Sequence, residues 1–305
     1  MRHLLTLEGF DRATIVRLLD RAEAFRARGQ QRDLLAGRTV LNLFFENSTR
    51  TRTSFEIAAR RLGTDVVNFD LSRSSTAKGE SLLDTLHTLE AMKLDALIVR
   101  HGENRMPDWL AEHANSLVSV INAGDGSRAH PTQGLLDALT VRQHRNDFGD
   151  LRIVICGDIR HSRVARSDVH AFTALGARDI RLCAPRALLP EDPDEFPGCA
   201  PMEDFDAAVE DADVVVMLRI QKERMAAALL PDCSDHFPDY FARYGLEARR
   251  LSRANPYAQV LHPGPINRGV EIAPEVADGP QSRILDQVAN GVAVRMAVLA
   301  ELLAD

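Results

Sequence analysis

The sequence predicts an α/β fold: two doubly wound, open parallel-sheet domains joined by helices, with the last helix returning to the first domain. Three observations carry that expectation. Short β-rich runs alternate with helical patterns along the chain, as βαβ units do. Most of these runs are continuously apolar rather than alternating, as parallel strands covered on both faces require. The length, 305 residues, suits two cores better than one.

The first four strands are expected at residues 39–45, 66–71, 96–100 and 119–122, and a second four at 152–156, 180–184, 214–218 and 259–262. Between them, residues 52–62 place Phe55, Ala58, Ala59 and Leu62 on one helical face, with Gly63 at the stop position. Leu82, Leu86 and Leu89 mark another helix. Pro131 suits a first helical turn, followed by Leu135 and Leu139, and that helix joins the two sets of strands. Residues 163–175 have Ser162 as N-cap, a face of Ala165, Val169 and Phe172, and Gly176 as the stop. The last segment, 285–303, carries a stripe of Leu285, Val288, Val292, Met296, Leu299 and Leu303 that is expected to pack across the first domain.

Composition narrows the function. The net charge is −7, which argues against a general nucleic-acid or anionic-membrane binder. No apolar run approaches the roughly 20 residues of a membrane span. The opening residues soon meet Glu8, Asp11 and Arg12, so no secretory leader is expected. The four cysteines, Cys156, Cys183, Cys199 and Cys233, form no Cys-x-x-Cys pair. That fits a reducing compartment, without a metal site or disulfide framework. A cytoplasmic protein is expected.

The chemistry concentrates where strands hand over to helices. In Phe44-Phe45-Glu46-Asn47-Ser48-Thr49-Arg50-Thr51, an apolar strand ends in hydroxyl residues and an Arg as a helix begins. A helix's first turn has unpaired N–H groups and partial positive charge, so an anion is favoured there. Arg50 adds a planar fork that fits phosphate. No nucleotide P-loop and no Gly-x-Gly-x-x-Gly follow a strand, so the anion is expected to be a small phosphate compound. A plain capping cluster would account for any one hydroxyl, less well for the whole arrangement. The Ser72–Glu80 stretch reads either as a solvated loop or as a mobile loop presenting Lys78. Arg100 ends a strand, and His130 and Gln133 are spaced to share one helix turn. In the second half, Asp158 to Arg163 and Arg219 to Arg224 follow strands, gathering cations where open sheets bind ligands. Two prolines around Gly264 in His262-Pro263-Gly264-Pro265 fix an extended turn.

With these residues assembled, the chain resembles the aspartate carbamoyltransferase family, catalytic chain, over nearly its full length. Ser-Thr-Arg-Thr and His-Pro-x-Gln are shared with ornithine carbamoyltransferases. Arg219-x-Gln221 supplies a cation for a dicarboxylate, and His262-Pro263-Gly264-Pro265 stands where the ornithine family carries His-Cys-Leu-Pro. Two departures are Val164, where some relatives carry Thr, and Gly102, where Pro is frequent.

The resemblance implies transfer of a carbamoyl group from carbamoyl phosphate to the amine of L-aspartate, in pyrimidine synthesis, with no cofactor and no metal. It implies a carbamoyl-phosphate domain at 1–133 plus 287–305 and an aspartate domain at 134–286. Ser48, Thr49, Arg50 and Thr51 would hold the phosphate. Arg100, His130 and Thr51 would contact the carbonyl oxygen, and Gln133 with the Pro263–Gly264 backbone the amide. Arg163, Arg219, Gln221 and Lys78 would hold aspartate. Ser74, or Ser75, and Lys78 would come from a neighbouring subunit, making a homotrimer with shared sites. Regulatory chains or a dihydroorotase partner stay open. The rivals are an ornithine or related transcarbamoylase and a non-catalytic scaffold of the same fold.

Overall fold

A computed structural model describes residues 1–69, 81–145, 147–221 and 240–304. The chain forms two compact units, Met1–Leu136 with Ala289–Asp305, and Asp137–Val288.

The first unit holds strands β1 (Thr39–Phe44), β2 (Asp65–Phe69), β3 (Ala96–His101) and β4 (Ser119–Asp125). They form one parallel sheet in the order β2-β1-β3-β4. Helices α1 (Arg12–Arg28), α2 (Thr49–Arg61), α3 (Leu82–Ala91) and α4 (Met106–His113) accompany it, and α5 (Pro131–Arg142) follows β4. Leu41, Leu43, Leu97, Val99 and Val120 from the strands pack with Leu86, Leu89 and Leu110 from α3 and α4 in a buried core. Local chemistry sets the boundaries. Asp11 caps α1 by accepting from Thr14 N at 2.8 Å, and Ser81 caps α3 by accepting from Asp84 N at 3.1 Å. Gly63 follows α2 at φ +86°, where a β-carbon would stand 1.6 Å from the Arg32 carbonyl oxygen, so only glycine fits.

The second unit carries β5 (Arg152–Cys156), β6 (Asp179–Cys183), β7 (Cys199–Met202), β8 (Val214–Met217) and β9 (Gln259–Leu261), with α6 (Arg163–Leu175) after β5. Its sheet is also parallel, in the order β7-β6-β5-β8-β9. Helix α6 begins and ends as its sequence dictates: Ser162 accepts from Ala165 N at 3.0 Å, and Gly176 closes it at φ +109°.

Two expectations need correction. The second sheet has a fifth strand, β7, that the sequence concealed. It is an edge strand with a mostly exposed pattern and Pro201 inside it, and proline is tolerated only at such edges. The stripe on the last helix, Ile284–Leu303, also fails in its first turns. Leu285 and Val288 are 83% and 54% exposed, while Gln287 and Asn290 are buried. The buried face there is polar, so a count of apolar positions could not find it. Further along, Met296, Leu299 and Leu303 are buried as expected.

Candidate active site

In the first unit the sheet order reverses direction between β1 and β3, where ligands of open α/β sheets collect beyond the strands' carboxyl ends. Phe44 of β1 lies opposite Arg100 of β3. Ser48 occupies the N-cap of α2, yet its side chain makes no capping bond. Thr49 and Arg50 are exposed in the first turn and Thr51 is buried. Hydroxyls and backbone N–H groups thus meet at a helix start, the arrangement that favours an anion.

Arg100 is fixed from two sides. Its Nη1 donates to the Ala123 carbonyl at 3.0 Å, and its Nε lies 3.4 Å from Glu46 Oε2. The ladder between β3 and β4 shifts register between Val99 and His101, and such irregularities re-aim side chains beside functional sites. His130 and Gln133 are both buried, and Gln133 N donates to the His130 carbonyl at 2.8 Å. The two therefore sit on one helical turn, as their spacing predicts.

The loop from β4 to His130 hangs on Asp125, a residue that sequence reasoning missed. Its carboxylate is fully buried. It accepts from Arg105 N at 2.7 Å, Ala129 N at 3.0 Å and Asn122 Nδ2 at 2.8 Å, with Arg128 at 3.4 Å. Arg128 also forms a bidentate pair with Asp108 at 2.6 and 3.0 Å. The available signal was an Asp between an apolar strand and a His-Pro helix start.

In the second unit the corresponding reversal lies between β5 and β8. Arg163 is the first residue of α6 and is 4% exposed. Arg219 follows β8 and donates from Nη1 to the Ile220 carbonyl at 3.3 Å. Gln221 is tied at both ends: its N donates to Asp158 Oδ2 at 3.1 Å, and its Nε2 to the His161 carbonyl at 3.1 Å. Asp158 is fully buried and also accepts from His161 N at 3.2 Å, with His161 Nδ1 at 2.9 Å. The turn after β9 is braced by His262. Its Nδ1 accepts from Gly264 N at 2.8 Å, so Nε2 carries the ring proton and donates to Glu271 Oε1 at 3.0 Å. Asn267 N also donates to Glu271 Oε1, at 2.6 Å.

Within the first unit, then, Ser48, Thr49, Arg50, Thr51, Arg100, His130 and Gln133 follow the ends of β1, β3 and β4. Within the second, Arg163, Arg219, Gln221, Pro263 and Gly264 follow β5, β8 and β9. Ser74, Ser75, Lys78 and Lys222 to Arg224 lie outside the described residues, as does Cys233. Among the described residues, no helix is long and apolar enough to cross a membrane.

Residues 2–143 match the family model for the aspartate/ornithine carbamoyltransferase carbamoyl-P binding domain, and residues 149–302 the one for the Asp/Orn binding domain. The chain is 58% identical to the aspartate carbamoyltransferase catalytic subunit of Xanthomonas campestris over 308 residues, covering 99% of this chain and 96% of that protein. It is 55% identical to that of Stenotrophomonas maltophilia over 309 residues, with the same coverage of 99% and 96%. Among solved structures it is similar to aspartate transcarbamoylase from Trypanosoma cruzi in complex with carbamoyl phosphate and aspartate. There the TM-score is 0.88 at 31% identity, covering 99% of this chain and 97% of that one. It is also similar to ornithine carbamoyltransferase from Thermus thermophilus, with TM-score 0.86 at 27% identity, covering 99% and 98% of the two chains.

Proposed function

This chain belongs to the aspartate/ornithine carbamoyltransferase family, and from that premise we propose that it transfers the carbamoyl group of carbamoyl phosphate to the amine of L-aspartate. The products are N-carbamoyl-L-aspartate and phosphate, in de novo pyrimidine synthesis. The observation that carries the choice of aspartate is 58% identity, over nearly the whole of both chains, to a catalytic subunit of that name. The second unit's Arg163, Arg219 and Gln221 agree with it chemically, because two carboxylates call for fixed cations and donors.

In the mechanism, Ser48, Thr49, Arg50 and Thr51 hold the phosphate of carbamoyl phosphate at the start of α2. Gln133 and the Pro263–Gly264 backbone hold its amide. Arg163, Arg219, Gln221 and Lys78 hold aspartate. The unprotonated amine attacks the carbonyl carbon, a C–N bond forms, and negative charge grows on the carbonyl oxygen. Arg100, His130 and Thr51 donate to that oxygen, and donors fixed where charge develops stabilise the transition state more than the ground state. The C–O bond to phosphate then breaks, and the departing phosphate accepts the amine's proton. Holding both reactants in register supplies much of the remaining acceleration.

The first unit is read as the carbamoyl-phosphate domain and the second as the aspartate domain. A cytoplasmic homotrimer, with Ser74 and Lys78 lent by a neighbouring subunit, completes the proposal. The test is a colorimetric ureido-product assay run with carbamoyl phosphate and either aspartate or ornithine. Product with aspartate alone supports the reading. Product with ornithine, or with neither, overturns it. Native mass measurement tests the trimer, and a monomer retaining full activity would remove the shared-site element.

A further inference from the structure

Two carboxyl groups in the second unit face each other out of solvent. Asp137 of α5 and Asp168 of α6 are both fully buried. Neither oxygen of Asp168 accepts a bond from an N–H or O–H donor among the described residues; its hydrogen-bonding partner is the Asp137 carboxyl. A carboxylate buried without a donor, beside a second carboxylate, is strongly disfavoured in its charged form. Burial first, and Asp137 second, push the Asp168 carboxyl well above the usual range. Burial thus favours the protonated form of Asp168, which can donate its proton to Asp137.

The pair has an outlet. Gln287, buried on the last helix, donates from Nε2 to Asp137 Oδ1 at 2.5 Å, and its Oε1 accepts from the backbone N of His262 at 2.8 Å. A primary amide has one donating and one accepting end, so an acceptor at Asp137 orients the oxygen towards His262. The His262 ring meanwhile accepts from Gly264 N at 2.8 Å. The turn is thus held at its first residue through Gln287 and at its third by imidazole.

We infer that Asp137 and Asp168 share a single proton, and that this pair, acting through the Gln287 amide, positions the His262–Gly264 turn for carbamoyl phosphate. The inference deepens the function proposed above and rests on it for the ligand. Asp137, Asp168 and Gln287 are positioning residues, since none of them is assigned a contact with substrate.

The test combines two variants and two readouts. Asp168→Asn keeps a hydrogen-bond donor but has no ionisable proton. An acid whose folded pKa is raised lowers stability progressively as pH climbs from its unfolded value towards its folded one. The Asn variant is therefore expected to melt higher than the parent, by a margin that widens as pH rises above the ordinary carboxylate range. Its KM for carbamoyl phosphate should stay within threefold of the parent's. Gln287→Leu cuts the link and should raise that KM tenfold or more, with the far-ultraviolet circular dichroism unchanged and kcat at saturating substrates within threefold. A melting difference independent of pH overturns the shared proton. An unchanged KM in Gln287→Leu overturns the positioning role. Should the parent show no use of carbamoyl phosphate, the assigned function fails and the positioning role with it, while melting still decides the proton pair.

Discussion

Gly157 and Leu218 meet backbone to backbone at the carboxyl ends of β5 and β8: a β-carbon at position 157 would stand 2.1 Å from the Leu218 carbonyl oxygen. Gly157 also sits at φ +135°, where other residues are strained. The approach lets Asp158 and Gln221, one on each side of the crossing, reach hydrogen-bonding distance. Gly157→Ala should lower stability by at least about 2 kcal/mol, a fall of roughly 4–8 °C in melting midpoint. It should also raise the KM for aspartate. An unaltered midpoint would refute the close approach.

Asp125 should behave as a structural anchor. Asp125→Ala leaves the Arg105 and Ala129 N–H groups and one side of Arg128 without their buried acceptor. Breaking such a network costs about 3–5 kcal/mol. Urea unfolding should register that loss, together with weaker protection by carbamoyl phosphate.

Arg100 and Arg219 should separate kinetically. Arg100→Ala removes a donor to the developing oxyanion and is expected to lower kcat by about 10²–10³. Arg219→Ala should chiefly raise the KM for aspartate, because carboxylate binding is common to ground and transition states. Arg50→Ala should also lower turnover severely. Steady-state kinetics at saturating carbamoyl phosphate decide all three, and near-normal turnover in Arg100→Ala would refute the oxyanion role.

Acid should weaken the second unit through Asp206. The hydrogen bond from Arg250, at 2.7 Å, is the main reason its carboxyl is held below the usual range. A depressed folded pKa gives stability that is present above the unfolded value, about 3.9, and lost as pH falls through the folded one. The parent should therefore be more resistant to urea than Asp206→Asn at pH 7, and the gap should narrow as pH falls below the ordinary carboxylate range.

The residues that announced themselves were those whose local chemistry has a single use. Ser162 and Gly176 delimited α6, Gly63 stopped α2, and the apolar runs around Val40, Ile98, Ile153 and Val215 became parallel strands. What stayed hidden depended on partners distant in sequence. Arg105, the residue before helix α4, is left-handed and makes no side-chain capping bond, and its own N–H is met by Asp125, twenty residues on. Helix α1 buries Ile15, Leu18, Leu19, Ala22 and Phe25 at helical spacing, but its dense arginines masked the pattern. In the candidate site, motifs identified the cations and hydroxyls. They did not identify Glu46 beside Arg100, Asp158 beside Gln221, or Glu271 beside His262, since an acid's role as a brace follows from what the fold brings next to it.

The first unit is assembled from two stretches far apart in sequence: Ala289–Asp305 belongs with Met1–Leu136. Arg295 lies over the Phe55 ring at 5.0 Å, and Leu299 is fully enclosed. During synthesis, then, the stretch up to Leu136 must wait for Ala289–Asp305 before its core can close. A nascent chain halted near residue 280 should expose apolar surface around Phe55 and recruit chaperones. Emergence of residues 289–305, rather than the intrinsic speed of sheet formation, should govern when this unit becomes protease-resistant.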